Sequence, residues 1–296
     1  MKRLWVTGCG GFVGSHVVRL ADASFEVHGI SRRAFPAVRK DAHYHVLDLT
    51  SELAVAALFT ARAPDVVIHC AAYADIDFCQ RNRTEAEAVN VTLVERLTDH
   101  CREQGARLIH CSTDNVFDGR SGPCSETDGP SPVNFYGETK VRAEQIVSKL
   151  PNHVIARVAL VMGIPALSAG NSFLAKLIAN AKTGAPTPFP ENEVRSPIDV
   201  VTLALALLEL ADRAETGIIH LAGNSRLNRY EMGLQLAAEL GISSELIRPI
   251  DSNAMEGRAP RPINVSLDNS KARSLLTTPM RNLAEGLRLV RQHKES

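Results

Sequence analysis

The chain carries no surplus of either charge: 33 Lys and Arg residues are matched by 33 Asp and Glu. No broad cationic face is therefore available to neutralise a run of phosphates, and nucleic acid is not an expected partner. Long hydrophobic runs are missing too. Val200 to Leu210 is broken by Thr202 and Glu209 and falls well short of the ~20 residues a membrane span needs. At the N-terminus two basic residues lead into Leu4-Trp5-Val6, too short for a signal-peptide core. The expectation is a cytoplasmic chain with no membrane partner. The six cysteines, Cys9, Cys70, Cys79, Cys101, Cys111 and Cys124, include no C-x-x-C pair and read as free thiols. Cys70 and Cys111 fall in apolar strand-like runs, where a thiol acts as a small hydrophobe. Neither His43 and His45 nor any other histidines have zinc-site spacing, so no metal is expected.

What is present is ordinary globular composition over 296 residues, 45% hydrophobic and 22% charged, enough for one large α/β domain or a nucleotide-binding domain with a smaller partner. Short apolar runs at Leu4 to Val6, Glu26 to Ile30, Tyr44 to Leu47, Asp65 to Cys70, Leu108 to Cys111 and Val154 to Val158 predict parallel strands. Helical segments separate them: Val13 to Ala23, Ser51 to Ala61, Thr84 to Gln104 closed by Gly105, and Asn134 to Leu150. Consecutive apolar positions such as Val66-Val67-Ile68 imply helices on both sheet faces. The fold class is then α/β, a doubly wound parallel sheet of Rossmann type with a smaller, interleaved C-terminal lobe. Residues 1–160 are assigned to the cofactor domain, with 197–222 returning to it, and residues 161–196 and 223–296 to a substrate lobe. The proline-rich run Ala185 to Pro190 excludes sheet centre and helix interior.

Gly8, Gly11 and Gly14 follow the first strand and open the first helix, where backbone can approach a pyrophosphate and a helix N-terminus favours an anion. The second strand ends in Ser31-Arg32-Arg33, without the acid that an NAD-selective site places on the ribose 2′-hydroxyl. Two guanidinium groups suit a 2′-phosphate instead, and NADP is the expected cofactor. Ser112-Thr113-Asp114 ends the fifth strand, and Tyr136 and Lys140 lie four apart at the start of the next helix, projecting from one face.

These elements resemble the extended short-chain dehydrogenase/reductase superfamily. Ser112 to Gly119, Glu126-Thr127-Asp128, Arg261-Pro262-Ile263-Asn264 and Leu267 to Lys271 look like the dTDP-4-dehydrorhamnose reductases within it. The resemblance implies that Tyr136 protonates a developing alkoxide while hydride leaves the cofactor, that Lys140 pulls the phenol toward neutrality and holds the nicotinamide ribose, and that Thr113, with Ser112 as second candidate, stabilises the carbonyl oxygen. It adds Phe12, Val13, Asp48, Leu49, Ala71, Ala72 and Tyr73 to the cofactor contacts, with Asn90 in the same set as a brace on the active-site helix. Asn115, Arg258 and Arg261 become candidates for the sugar nucleotide, the two arginines for its diphosphate.

This sequence departs from the family pattern in ways that bear on the substrate: Asn115 replaces a tyrosine, Cys124 an aromatic, and the Asp-Gln pair before Arg195-Ser196-Pro197 is absent. Asn115 cannot transfer the proton a 4,6-dehydratase requires. The leading expectation is a reductase of a 4-keto-6-deoxy sugar nucleotide. A related epimerase and a non-catalytic NADP-binding regulatory subunit, like the β subunit of methionine adenosyltransferase, stand as alternatives. For assembly, the expectation is a homodimer.

Overall fold

The apolar runs become strands with both faces covered. In the computed structural model, which describes residues 1–167 and 172–295, the central sheet comprises β1 (Lys2–Thr7), β2 (Phe25–Ser31), β3 (His43–Val46), β4 (Val66–His69), β5 (Arg107–Thr113), β6 (His153–Val158) and β7 (Gly217–Leu221). Their order is β7-β6-β5-β4-β1-β2-β3, all neighbours parallel. The doubly wound expectation holds, and 217–221 does return to the sheet beside β6. Strand order reverses between β1 and β4, and such a switch point opens a crevice at the carboxyl ends of the strands.

Helices α1 (Phe12–Leu20), α2 (Glu52–Arg62), α3 (Ile76–Arg81), α4 (Arg83–Glu87), α5 (Leu93–Gln104), α6 (Phe135–Val147), α7 (Phe173–Lys182), α8 (Val200–Asp212), α9 (Arg229–Leu240), α10 (Ser270–Leu275) and α11 (Leu283–Glu295) complete the frame. Adjacent strand residues feed opposite cores. Leu4, Val6 and Ile68 pack with Val17 of α1 and Leu203 and Leu207 of α8. Trp5 and Val67 pack with Phe59 of α2, Leu97 of α5 and Val147 of α6. That is why these strands show no polar alternation.

One expected helix divides. The stretch assigned to Thr84–Gln104 begins earlier, at α3, where Asp75 caps the helix by accepting from the Phe78 amide. It breaks at Asn82, resumes as α4, and passes through a π-helical turn at Ala88–Thr92 before α5. Gly105 closes α5 in a left-handed conformation, as expected. The proline-rich run also forms a strand, in a two-stranded sheet: among the described residues Thr187–Pro190 pairs only with Ile247–Ile250, an edge setting that tolerates the missing amide. A third core of Leu174, Leu177, Phe189, Met232, Leu236 and Leu287 lies under this part of the chain. Residues 168–171 and 296 of the assigned substrate lobe lie outside the described residues. No helix among the described residues is long and apolar enough to cross a membrane.

Candidate active site

β1 runs into the glycine loop, and α1 starts directly after it with Gly11 as N-cap. Gly8 has φ +67°, and a Cβ there would lie 2.8 Å from the Ala71 amide nitrogen; one at Gly14 would strike the Gly8 carbonyl. Only glycine lets the loop settle between the end of β4 and the first turn of α1. That turn has no side-chain cap and no acidic residue, so its free amides and positive dipole end stay open to an anion. Ser31 flanks the loop: a Cβ on Gly10 would come within 3.1 Å of its hydroxyl. Arg32 donates to the Tyr73 hydroxyl at 3.1 Å and lies over its ring. The Tyr73 contact, then Asp48 nearby, hold the guanidinium above its usual pKa. Arg33 and Ala72 are exposed.

The structure therefore brings Gly8, Gly11, Ser31, Arg32, Arg33, Ala71 and Tyr73 to one crevice rim. Phe12 packs toward Gly163 and Val13 into the core below α1, leaving their backbone as the part nearest the loop. Asp48 is exposed and accepts from the Thr50 amide and hydroxyl at 2.9 and 2.8 Å, while Leu49 is buried. Asn90 needs correction as a cofactor contact. It is buried in the π-helical turn, accepts from the Tyr73 amide at 2.9 Å, and donates to the Tyr73 carbonyl at 3.0 Å and the Thr139 hydroxyl at 3.2 Å. Its whole amide braces the loop after β4 against α6.

On the other side of β4, Asn134 caps α6 by accepting from the Gly137 amide at 2.9 Å. Tyr136 is 7% exposed. Burial pushes its phenol above the ordinary value, and a hydrogen bond with Thr113 pulls it part of the way back. Thr113 also donates to Asp114 Oδ1 at 3.1 Å and accepts from the Asn115 amide at 3.2 Å. Asn115 Nδ2 donates to the same Asp114 oxygen at 2.8 Å, holding this partly exposed side chain at the site. Burial raises the pKa of Asp114, against the pull of Arg195.

Lys140 is 2% exposed; its Nζ donates to the Cys111 carbonyl at 2.7 Å and lies 3.0 Å from His110 Nε2. An ammonium can only donate, so His110 Nε2 must accept and the ring proton sits on Nδ1. His110 stacks on His69, whose Nδ1 is 2.7 Å from the Thr7 hydroxyl. Burial lowers Lys140 to about 8 and His69 to about 3, and depresses His110 as well. The expectation that Lys140 draws the phenol down is thus corrected for this state: the ammonium is engaged by His110 and Cys111, and desolvation dominates at Tyr136.

Two further corrections concern the substrate residues. Ser112 points away from Tyr136 and donates to Glu144 Oε1 at 2.5 Å. Glu144 in turn is paired with buried Arg157, Nη2 to Oε2 at 2.8 Å. Arg261 is buried and already paired: Nη2 donates to Asp77 Oδ2 at 2.8 Å and Nη1 to the Ala259 carbonyl at 2.7 Å. Arg258, 3.6 Å from the same carboxylate, keeps partial exposure. Asp77, His110 and Glu144 were missed in the sequence. Glu144 had a signal, since it continues the four-residue spacing of Tyr136 and Lys140. The cysteines are free, but Cys70, just past β4, and Cys111, within β5, are only partly buried, with their sulfurs 3.7 Å apart.

Residues 1–295 match the model of the RmlD substrate binding domain family. The chain belongs to that family. It is 32% identical over 293 residues to the dTDP-4-dehydrorhamnose reductase of Mycobacterium tuberculosis, covering 97% of this chain and 91% of that protein. It is also 32% identical over 283 residues to methionine adenosyltransferase 2 subunit beta of Xenopus tropicalis, at 91% and 81% coverage. The dTDP-4-dehydrorhamnose reductase of Bacillus anthracis, solved in complex with NADP, shares the fold with a TM-score of 0.88, at 22% identity and 99% coverage of both chains. In this RmlD-family chain the anion-ready α1 terminus and Thr113 lie at the carboxyl ends of β1 and β5, two strands of one sheet with β4 between them.

Proposed function

We propose that this chain is an NADP-dependent reductase of a 4-keto-6-deoxy sugar nucleotide, with Tyr136 as general acid. The observation that carries the proposal is the placement of buried Tyr136 and Lys140 on one face of α6, with Thr113 at the carboxyl end of β5, by a crevice whose rim holds an uncapped helix N-terminus and two arginines. The site's residues fit the cofactor. Amides of the glycine loop and α1 suit the pyrophosphate, and Ser31, Arg32 and Arg33 suit the 2′-phosphate. When bound, the dihydronicotinamide supplies the hydride. Tyr136 Oη then gives its proton to the alkoxide oxygen, and Thr113 Oγ1 donates a hydrogen bond to the same oxygen as its charge develops. Lys140, charged below a pH of about 8, is the cation on the same helix face. Residues 1–160 with 197–222 hold the cofactor in this reading, and residues 161–196 and 223–296 enclose the sugar nucleotide, with Asn115 and Arg258 as contacts.

The test is NADPH oxidation by the purified chain against a panel of keto-sugar nucleotides, followed by product stereochemistry, which separates a reductase from an epimerase. The similarity to a methionine adenosyltransferase β subunit favours one second reading, an NADP-binding regulatory subunit. That reading gains if NADPH binds, no panel member is reduced, and a recovered partner enzyme changes activity on binding the chain.

A further inference from the structure

At the edge of the sheet, β2 and β3 pair with His28 opposite His43 and Ile30 opposite His45. Residues two apart on a strand share a face. The register therefore gathers Glu26, His28, His43 and His45 on one side of the sheet, from two short sequence pairs that lack zinc-site spacing individually. His28 is buried with its ring fixed at both nitrogens: Nε2 lies 2.9 Å from Glu26 Oε1, and Nδ1 lies 2.9 Å from His45 Nε2, the two imidazoles 6° from parallel. The exposed His43 stacks on His28 with centroids 4.8 Å apart. Ligand atoms of Glu26, His28 and His43 all lie within 4.8 Å of one another.

We propose that Glu26, His28 and His43 form a binding site for a divalent first-row transition-metal ion of the imidazole- and carboxylate-preferring class, with His45 orienting His28. Such an ion bonds nitrogen and oxygen at roughly 2.0–2.2 Å, so its ligand atoms stand about 3 Å or a little more apart. Glu26 and His28 already meet that spacing. His43 must swing inward, which its exposure allows through side-chain rotation alone. A ligating histidine commonly has its second nitrogen bonded to a fixed partner, and His45 Nε2 is in that place for His28. Arg3, with Nε 3.5 Å from Glu26 Oε2, and Arg62, whose charge reaches His45, face the cluster and weaken it for a cation. Without an ion the Glu26–His28–His45 chain closes on its own hydrogen bonds. With one, β3 is stapled to β2 at the base of the segment that carries Arg32 and Arg33.

Calorimetric titration of Zn2+ into the full-length protein tests the site, with His43→Ala, His45→Gln and a Cys70→Ala/Cys111→Ala variant as comparisons. One ion per wild-type chain is expected. The cysteine variant should retain it, His45→Gln should weaken it about 10- to 100-fold as for loss of an orienting partner, and His43→Ala should abolish it. His43 is exposed, and a thermal melt of that variant confirms its fold. Absence of wild-type binding, binding unchanged by His43→Ala, or binding lost in the cysteine variant overturns the proposal.

Discussion

Replacing Glu144 by Gln deletes one charge from a buried ion pair while keeping the side-chain shape. Arg157 is 2% exposed and directs Nε and Nη2 at the two Glu144 oxygens at 3.0 and 2.8 Å, and Ser112 donates to Glu144 as well. Water cannot reach the guanidinium to replace the lost carboxylate. Leaving one partner of such a pair charged and buried costs about 3–5 kcal/mol. Unfolding entropy near 2.1 cal/mol/K per residue scales, for 296 residues, to about 0.6 kcal/mol/K. The melting temperature should therefore fall by about 5–8 °C, read by scanning calorimetry at neutral pH. A Glu144→Gln/Arg157→Met double variant removes the orphaned charge and should recover most of the loss, because the pair is coupled rather than additive. A single variant that melts within a degree of wild type, or a double variant that falls by the sum of both singles, would refute the reasoning.

Tyr136→Phe keeps the packed ring and removes the phenolic proton; keto-sugar reduction should drop by ~100- to 10,000-fold with NADPH affinity near wild type in a fluorescence titration. An Arg32→Ala/Arg33→Ala variant should lose tenfold or more in NADPH affinity and little for NADH, since each charge-assisted contact to a 2′-phosphate is worth on the order of 1.5–3 kcal/mol; equal losses for both cofactors would refute it. Glu209 pays a burial penalty that the Thr277 and Thr278 amides, the Thr278 hydroxyl and Arg213 together outweigh, bringing it from 4.5 to about 2. Its contribution to stability is therefore full above pH 4.5 and lost as pH falls toward 2. Glu209→Gln should flatten that acid limb of the melting curve, and an unchanged limb would assign the acid sensitivity elsewhere.

The signals that read correctly in the sequence are those completed within a few residues. Consecutive apolar positions at Val66 to Ile68 reported a strand covered on both faces, the glycines after β1 reported the tight loop, and Gly105 reported the end of α5. What stayed hidden depends on partners brought together by the fold. Ser112 and Thr113 are adjacent and chemically alike, yet strand alternation sends the first to Glu144 and leaves the second with Tyr136. Arg261 looked free because its partner, Asp77, is 184 residues away. The Thr84–Gln104 segment has uninterrupted helical composition, and its π-helical turn is recognisable only once Asn90 is seen bonded to Tyr73 and Thr139. His43 and His45 lacked metal spacing until the parallel register supplied His28 and Glu26.

The accuracy of the site rests on α6, because every fourth residue along one face is tied to β5 or β6. Tyr136 meets Thr113 at the end of β5, Lys140 meets the Cys111 carbonyl and His110 within β5, and Glu144 meets Arg157 on β6. Thr139 adds Asn90, and the Asn134 cap reaches the Pro260 carbonyl at 3.0 Å. A buried polar group without its partner costs about 1–3 kcal/mol, so a slip of α6 by one turn would orphan several at once. The helix therefore has one low-energy register. That register sets buried Tyr136 by the carboxyl end of β5 while burial keeps the neighbouring imidazoles neutral, leaving Lys140 as the cation of that helix face. Chemical placement and fold stability are set here by the same contacts, which is why Glu144, without touching the crevice, belongs to the site as its positioning residue.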